Sequence, residues 1–518
     1  MVADSKKSLA QEWETMDAKK TNMYRRCENY ALWTLPYVFP VSDVKDQELQ
    51  GPVDSIGARA VNHLSNKLIM TLFTPYQSFF RLQATSELLA EIMEDAEGGD
   101  AEAKEIMTAL DKALAQTEKD AMRELNYTKY RTEATMAAKY LIVTGNALLY
   151  HPEDGASQTY GVRDYCVQRD LSGVVIKIIT KDVKAYCTFN DEVRDKLRQS
   201  KDKKYEDDTN VALYTKICLE KDGRFHLSQA ADTVDLEKTG AWPPEELPWI
   251  ALTWNLVRGE DYGRGLVEDY SGAFHALYVL TNSFVDLVGI AADIKILVDP
   301  GSTLDVKELN DSESGSYHSG KEGDLTYAQV LKNLDMQFVA QYIEQLQRQI
   351  AQAFLLNSSI TRDAERVTAE EIRYVVQELE LSHGGIYSRF ADEWQLKLAT
   401  LLLKRVKVDL GTKKMIYPQI ITGLDSLSRA GDLDNLRMMI MDLALLNGVP
   451  EDIRGAIDPI GFTEFIGIRR GVEYEKFVKS RQQLEADAQA EANQQQQLIA
   501  AQGAADIAGE VATQAAQE

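Results

Sequence analysis

The sequence predicts an α+β fold that is predominantly helical, and three observations carry that expectation. Long stretches keep apolar residues at helical spacing, a central block alternates with period two between turn residues, and two long helices flank a small strand-bearing insert. At 518 residues the chain exceeds the roughly 100 to 200 residues of one domain. With 44% hydrophobic and 27% charged residues it reads as a folded, soluble protein, which excludes a stapled mini-protein, a disordered chain and a membrane bundle.

Residues 5 to 33 read as a polar helix ending in the aromatic pair Tyr30 and Trp33, and Pro36 and Pro40 interrupt the chain beyond it. From Ile56, the run IGARAVNHLSNKLIMTLF puts Ala60, Leu64, Leu68 and Leu72 four apart, the stripe of an amphipathic helix. Another helix covers about 101 to 126. A third gives way at Gly145-Asn146 to a strand within VTGNALLY. Period-two runs come next in YCVQRD, GVVIKIIT and VALYTKICLE, with hairpin turns at Gly173 and Asp222-Gly223. Pro243, Pro244 and Pro248 lead into a closing strand, WIALTW.

From Gly265 a helix of about 30 residues, hence about 45 Å, is expected to run into a strand. A polar stretch from Asp299 to Gly323 and a second short strand come after it, and a helix from about Leu334 to Leu356 returns. The polar break NSSITRDAER precedes a third long helix, opened by the capping box of Thr368 and Glu371. Its apolar positions from Ile372 to Leu401 persist for nearly 40 residues, with a kink expected at Gly384-Gly385. A strand in KKMIYPQI, helices to about residue 480 and an Ala/Gln-rich tail complete the chain.

Charge and motifs remove several functions. Lys+Arg 57 against Asp+Glu 81 gives a net charge of −24, so the surface as a whole cannot hold nucleic acid by neutralising phosphates. The segment from Gly315 to Lys321 fits G-x-x-x-x-G-K, but Glu322 stands where a phosphate-binding loop needs a magnesium-binding hydroxyl, and neither the preceding strand nor the following helix is expected. Gly263 and Gly265 lack the third glycine of a dinucleotide turn. The six histidines and the four cysteines (Cys27, Cys166, Cys187 and Cys218) are dispersed, which leaves no metal, disulfide or catalytic constellation legible and makes a reducing compartment the simple inference. No cofactor is expected. The N-terminus lacks the apolar core of a signal peptide, and the most apolar stretch, from Leu277, carries Asp286 and Asp293, so no membrane span is expected.

Two readings of the break at 357 to 367 stand side by side. Arg362 and Arg366 could touch phosphate transiently, or the segment is a solvated turn in which Arg362 pairs with Asp363 or Glu365.

Several segments together resemble the portal proteins, or head-to-tail connectors, of autographivirus-type podoviruses. They are SIGARAVNHLSNKLIMTLFTPYQSFFRL from Ser55, VTGNALLY from Val143, YCVQRDLSGVV from Tyr165, DYGRGLVEDY from Asp261, FLLNSSITRDAERVTAEEIRYVVQELELSHGGIYS from Phe354 and PQIITGLDSLSRAGDLDNL from Pro418. The resemblance implies a portal-protein fold whose subunits form a ring, most simply of twelve, around a channel at one capsid vertex. On it, residues 1–262 would be the wing, 263–296 the first stem helix, 297–333 the clip and 334–356 the second stem helix. Residues 357–367 would be the channel loop, 368–422 a long kinked helix and wing strand, 423–480 the crown helices and 481–518 the tail.

The implied work is packaging, retaining and ejecting the genome and attaching the tail, without enzymatic activity. Asn357, Ser358, Ser359, Arg362 and Arg366 would contact double-stranded DNA in the channel. Implied partners are further copies of the chain, terminase, the major capsid and scaffolding proteins, a tail adaptor and internal core proteins, with no membrane. The place implied is the virion, after assembly in the host cytoplasm. The tail, whose single basic residue Arg481 faces six acids, is expected to be dispensable for ring formation. A packaging motor would need a working phosphate-binding loop, and a capsid-associated scaffold or adaptor would differ from a portal in forming no channel.

Overall fold

The structure, a computed structural model, describes residues 8–41, 49, 51–73, 78–95, 100–199, 205–236, 239–292, 295–302, 304–321, 323–328, 333–356, 385–407, 416–420, 440–441, 461–463 and 466. The expected channel loop with Asn357, Ser358, Ser359, Arg362 and Arg366, the capping box at Thr368, nearly all of the crown and the whole tail lie outside them. The chain divides into two compact units, Met1–Gly423 and Leu424–Glu518, and the elements below belong to the first.

The N-terminal segment is two helices, α1 (Leu9–Asp17) and α2 (Thr21–Trp33), instead of the single one expected. A 3₁₀ turn at Ala18–Lys20 separates them and turns Lys20 inward. There its ammonium pairs with Asp17 at 2.9 Å and donates to the carbonyls of Val162 and Tyr165 at 2.8 and 3.0 Å. A buried charge is tolerable when its donors are filled in this way. Helix α3 (Ile56–Leu72) buries the whole predicted stripe, Ala60, Leu64, Leu68 and Leu72.

Strand β1 (Phe80–Ala84), α4 (Ser86–Asp95), α5 (Asp100–Tyr127) and α6 (Tyr130–Thr144) come next. At the centre of this helical layer Phe73 meets Phe79, Tyr130 and Trp394 edge-on at 5.3, 5.5 and 5.4 Å. The Trp394 indole N–H donates to the Tyr130 hydroxyl at 2.6 Å, which satisfies a polar atom that burial would otherwise strand.

Two sheets lie beside the helices. One has the order β10-β2-β3, from β2 (Asn146–Tyr150), β3 (Gln158–Tyr160) and β10 (Trp249–Thr253). The other runs β4 (Tyr165–Arg169), β5 (Val175–Ala185), β6 (Asn210–Leu219), β7 (Phe225–Ala231) and β8 (Val234–Leu236), all antiparallel, with β9 (Ala241–Trp242) also on β7. Gly173 and Gly223 take the left-handed conformations, φ 90° and 77°, that the two expected hairpin turns require. A helix not anticipated from the sequence, α7 (Asp191–Gln199), links β5 to β6. Strand β13 (Ile416–Ile420) returns from far along the chain to pair antiparallel with β1.

Candidate interface helices and channel segment

The helix expected from Gly265 is shorter than 30 residues. The short α8 (Leu266–Asp269) ends at Tyr270, where φ −108° and ψ 17° break the helical path, and α9 (Ser271–Ala292) continues for 22 residues. It runs into β11 (Lys295–Val298), which pairs antiparallel with β12 (Leu325–Ala328) across an insert that also carries α10 (Val306–Asn310). Helix α11 (Asn333–Ala353) then returns and packs on α9. The sequence thus placed the helix–strand–strand–helix order correctly, but not the break at Tyr270.

The pair is anchored at one end only. Phe274 and Leu277 of α9, and Leu346 and Ile350 of α11 with the adjoining Phe354, are buried in the main core. Further out the cover is lost: Val279 is 45% exposed, Ile290 61% and Phe338 71%. At 100° per residue, Val279 and Ile290 lie about 20° apart, on the side of α9 roughly opposite the Phe274–Leu277 stripe. Val285 and Val288 continue that stripe beyond the end of the core and are also exposed. By length and composition Ser271–Ile290 would suffice to cross a membrane, although it contains Asp286. Among the described residues, nothing covers this apolar surface, which lies on more than one side of the helix.

The base of α9 is held by a close crossing of backbones. Asn146, just after the turn at Gly145, donates to the Gly263 carbonyl at 2.9 Å and accepts from the Gly263 N–H at 2.7 Å. A Cβ on Gly145 would stand 2.5 Å from the Arg264 carbonyl carbon, and one on Gly265 would stand 2.8 Å from the Ile142 oxygen. Only glycine permits such an approach. Gly263 and Gly265 are thus packing glycines that seat the helix. Glu268 accepts from Arg26 at 2.9 Å and from Arg264 at 2.5 Å, tying α8 to α2, while burial lifts its carboxyl above the usual range against the pull of Arg26.

The described residues nearest the candidate DNA-contacting segment 357–367 are Leu356 before it and Gly385 after it. After α11, the Leu356 N–H donates to the Ala351 carbonyl at 2.8 Å and the Leu355 N–H to that of Gln352 at 3.1 Å, with Leu355 at φ 54°. This is a Schellman cap with leucine in the left-handed position, which costs about 1 to 2 kcal/mol and is held by burial of Leu355. On the far side Gly385, at φ 82°, precedes Ile386–Phe390 (α12), a π-helical turn over Ala391–Leu396 and Lys397–Arg405 (α13). Phe354, Leu355, Ile386 and Tyr387 share one core. Gly384 and the helix expected before it lie outside the described residues, so the expected kink is not described, and the π turn was not foreseen.

The nucleotide-loop match from Gly315 to Lys321 has the wrong surroundings. It lies between α10 and β12, its residues are exposed, and the Lys321 N–H binds the Asp324 carboxylate at 2.7 Å. Glu322 lies outside the described residues. Among the described residues no group of His, Cys, Asp or Glu is arranged to hold a metal ion.

A family profile described as "Bacteriophage head to tail connecting protein" matches residues 6–475. The chain is 33% identical over 495 residues to the portal protein of Enterobacteria phage SP6, covering 95% of this chain and 94% of that one. It is 30% identical over 468 residues to the portal protein of Escherichia phage T7, covering 87% and 85%. Among solved structures, a chain in the neck of a native gene transfer agent particle is 13% identical and covers 80% of this chain and 89% of its own, with a TM-score of 0.35, too low to support an argument from shape.

Proposed function

This chain belongs to the bacteriophage head-to-tail connecting proteins, the portal proteins of T7-like phages, and from that premise we propose that its copies close into a ring around a DNA channel at one capsid vertex. The observation that carries this reading is the helix pair α9 and α11, seated in the core at one end and apolar on uncovered sides beyond it. Two different apolar surfaces on one helix suit head-to-tail contacts, each subunit using one surface on each neighbour, and such contacts close into rings when the rotation allows.

In this reading residues 1–262 form the wing, the helix pair forms the stem and the insert with β11 and β12 forms the clip. Residues 423–480 form the crown. The ring serves packaging, retention and ejection of double-stranded DNA and carries the tail. Its partners are terminase, the capsid and scaffolding proteins, a tail adaptor and internal core proteins, and assembly takes place in the host cytoplasm. The work is mechanical, and no catalysis is assigned to it.

In this reading Arg362 and Arg366, with Asn357, Ser358 and Ser359, contact the duplex backbone in the channel. Guanidinium groups offer charge-assisted, bidentate bonds to phosphate. The net charge of −24 keeps the rest of the wall from adhering, so the duplex can pass.

The double substitution Val279→Glu and Ile290→Glu tests the carrying observation. It should leave the chain folded by circular dichroism and shift it to a smaller species in sedimentation velocity. Unchanged sedimentation would mean that these faces are not the subunit contact.

A further inference from the structure

A groove of about 990 Å³ runs between one side of α1 and the sheet that α1 rests on. Five adjacent strands line it, through Gln168 of β4, Lys177 of β5, Lys216 of β6, Ser228 of β7 and Asp235 of β8. At about 4.8 Å per strand that is a span of roughly 19 Å, the length of about six residues of extended chain.

The charges along this groove do not balance. The β5–β6 register pairs Lys177 with Cys218 and Ile179 with Lys216, so the two lysines stand diagonally on one face of adjacent strands. They are 21% and 23% exposed, and both bond the one carboxylate of Glu12, each at 2.6 Å. Burial would lift that carboxyl, but the bonds from Lys177 and Lys216 outweigh it and hold the group below its usual range. With the exposed Lys19, three ammonium groups meet two carboxylates, those of Glu12 and Asp235, in a chain whose net charge is −24. A largely buried cation calls for a full counter-charge, and each ammonium has three donors to place.

We propose that this groove binds an acidic peptide segment of a partner protein, laid across the strands with one carboxylate shared by Lys177 and Lys216 beside Glu12. Charge selects an acid, because the segment supplies the negative charge the lysines lack. Span selects an extended chain, which reaches all five strands where a single small anion reaches one pair of lysines. A nucleic-acid duplex carries its phosphates on a rigid rod and would meet the acidic bulk of the chain around the groove. Glu12 is the intramolecular rival of the incoming carboxylate, so α1 sets how tightly the segment is held. The groove is built within one chain, and the assignment does not depend on ring formation.

The full-length chain should be titrated by calorimetry with a blocked hexaglutamate peptide and, in parallel, with the hexaglutamine peptide, inorganic phosphate and a short DNA duplex. Hexaglutamate should bind saturably, and hexaglutamine at least about tenfold more weakly. Glu12→Gln should tighten hexaglutamate binding by removing the rival, and Lys177→Gln should weaken it by about tenfold. The triple variant Glu12→Gln, Lys177→Gln and Lys216→Gln leaves no cation of the cluster unpaired, so it keeps its melting temperature where a single variant loses it, and it should not bind. No saturable binding, equal binding of hexaglutamine, a Glu12→Gln variant that binds no tighter, or a triple variant that binds like the parent would overturn the proposal. Phosphate binding as tight as the peptide's, or displacement of the peptide by the duplex, would overturn it as well.

Discussion

Phe274 and Phe354 meet edge to face with ring centroids 5.7 Å apart, joining α9 to the cap of α11. Phe354 is fully buried and Phe274 nearly so, and Tyr270, at the break between α8 and α9, also reaches Phe354, at 6.1 Å. One aromatic contact thus fixes both the start of the outgoing helix and the end of the returning one. It stands directly before the segment assigned to the channel.

Phe354→Ala removes that contact and leaves a cavity in the core. The expected loss is about 3 to 5 kcal/mol of unfolding free energy, read by chemical denaturation. Phe338→Ala, on the exposed stretch of α11, should cost under about 0.5 kcal/mol in the unassembled chain, because it removes no buried contact. Equal losses would show that the burial gradient along the pair is wrong.

Acid should weaken the first unit through His151. His151 is 2% exposed, its Nδ1 lies 2.8 Å from the Ser157 hydroxyl, and its buried Nε2 has no partner among the described residues. Burial, reinforced by the Arg405 charge, pushes its pKa from 6.5 down to about 4. Between those values the unfolded chain binds the proton and the folded chain does not, so stability rises with pH there. The contribution is complete above pH 6.5 and is lost as pH falls toward 4, by up to roughly 3 kcal/mol. His151→Gln should flatten that part of the denaturation profile, and a profile as steep as the parent's would assign the acid sensitivity elsewhere.

Arg362→Ala combined with Arg366→Ala should lower the DNA retained in assembled particles while ring assembly is unchanged. Each single variant should fall between the double variant and the parent. Retention equal to the parent's in all three would make the segment a solvated turn, the other reading its sequence allowed.

Much of this fold is legible in the sequence because local chemistry decides it. The α3 stripe, the turns at Gly173 and Gly223 and the helix–strand change at Gly145 are each set by residues within a few positions. The rest depends on partners distant in the chain. Nothing near Lys20 announces that Val162 and Tyr165 will draw it inward, and nothing near Phe80 announces Ile420 as its partner across the β1–β13 pair. The site divides in the same way. Resemblance to connector sequences singled out VTGNALLY and DYGRGLVEDY, but their joint purpose, the Asn146–Gly263 crossing, shows only in three dimensions. The uncovered faces of α9 did leave a signal, apolar residues on more sides than a surface helix needs.

Single-particle imaging of the purified full-length chain tests the central claim most directly. The account predicts closed rings with an axial opening, their walls formed by the α9 and α11 pairs of neighbouring subunits. Monomers, dimers or open assemblies without a channel at working concentration would contradict it and favour an adaptor that binds the capsid without conducting DNA.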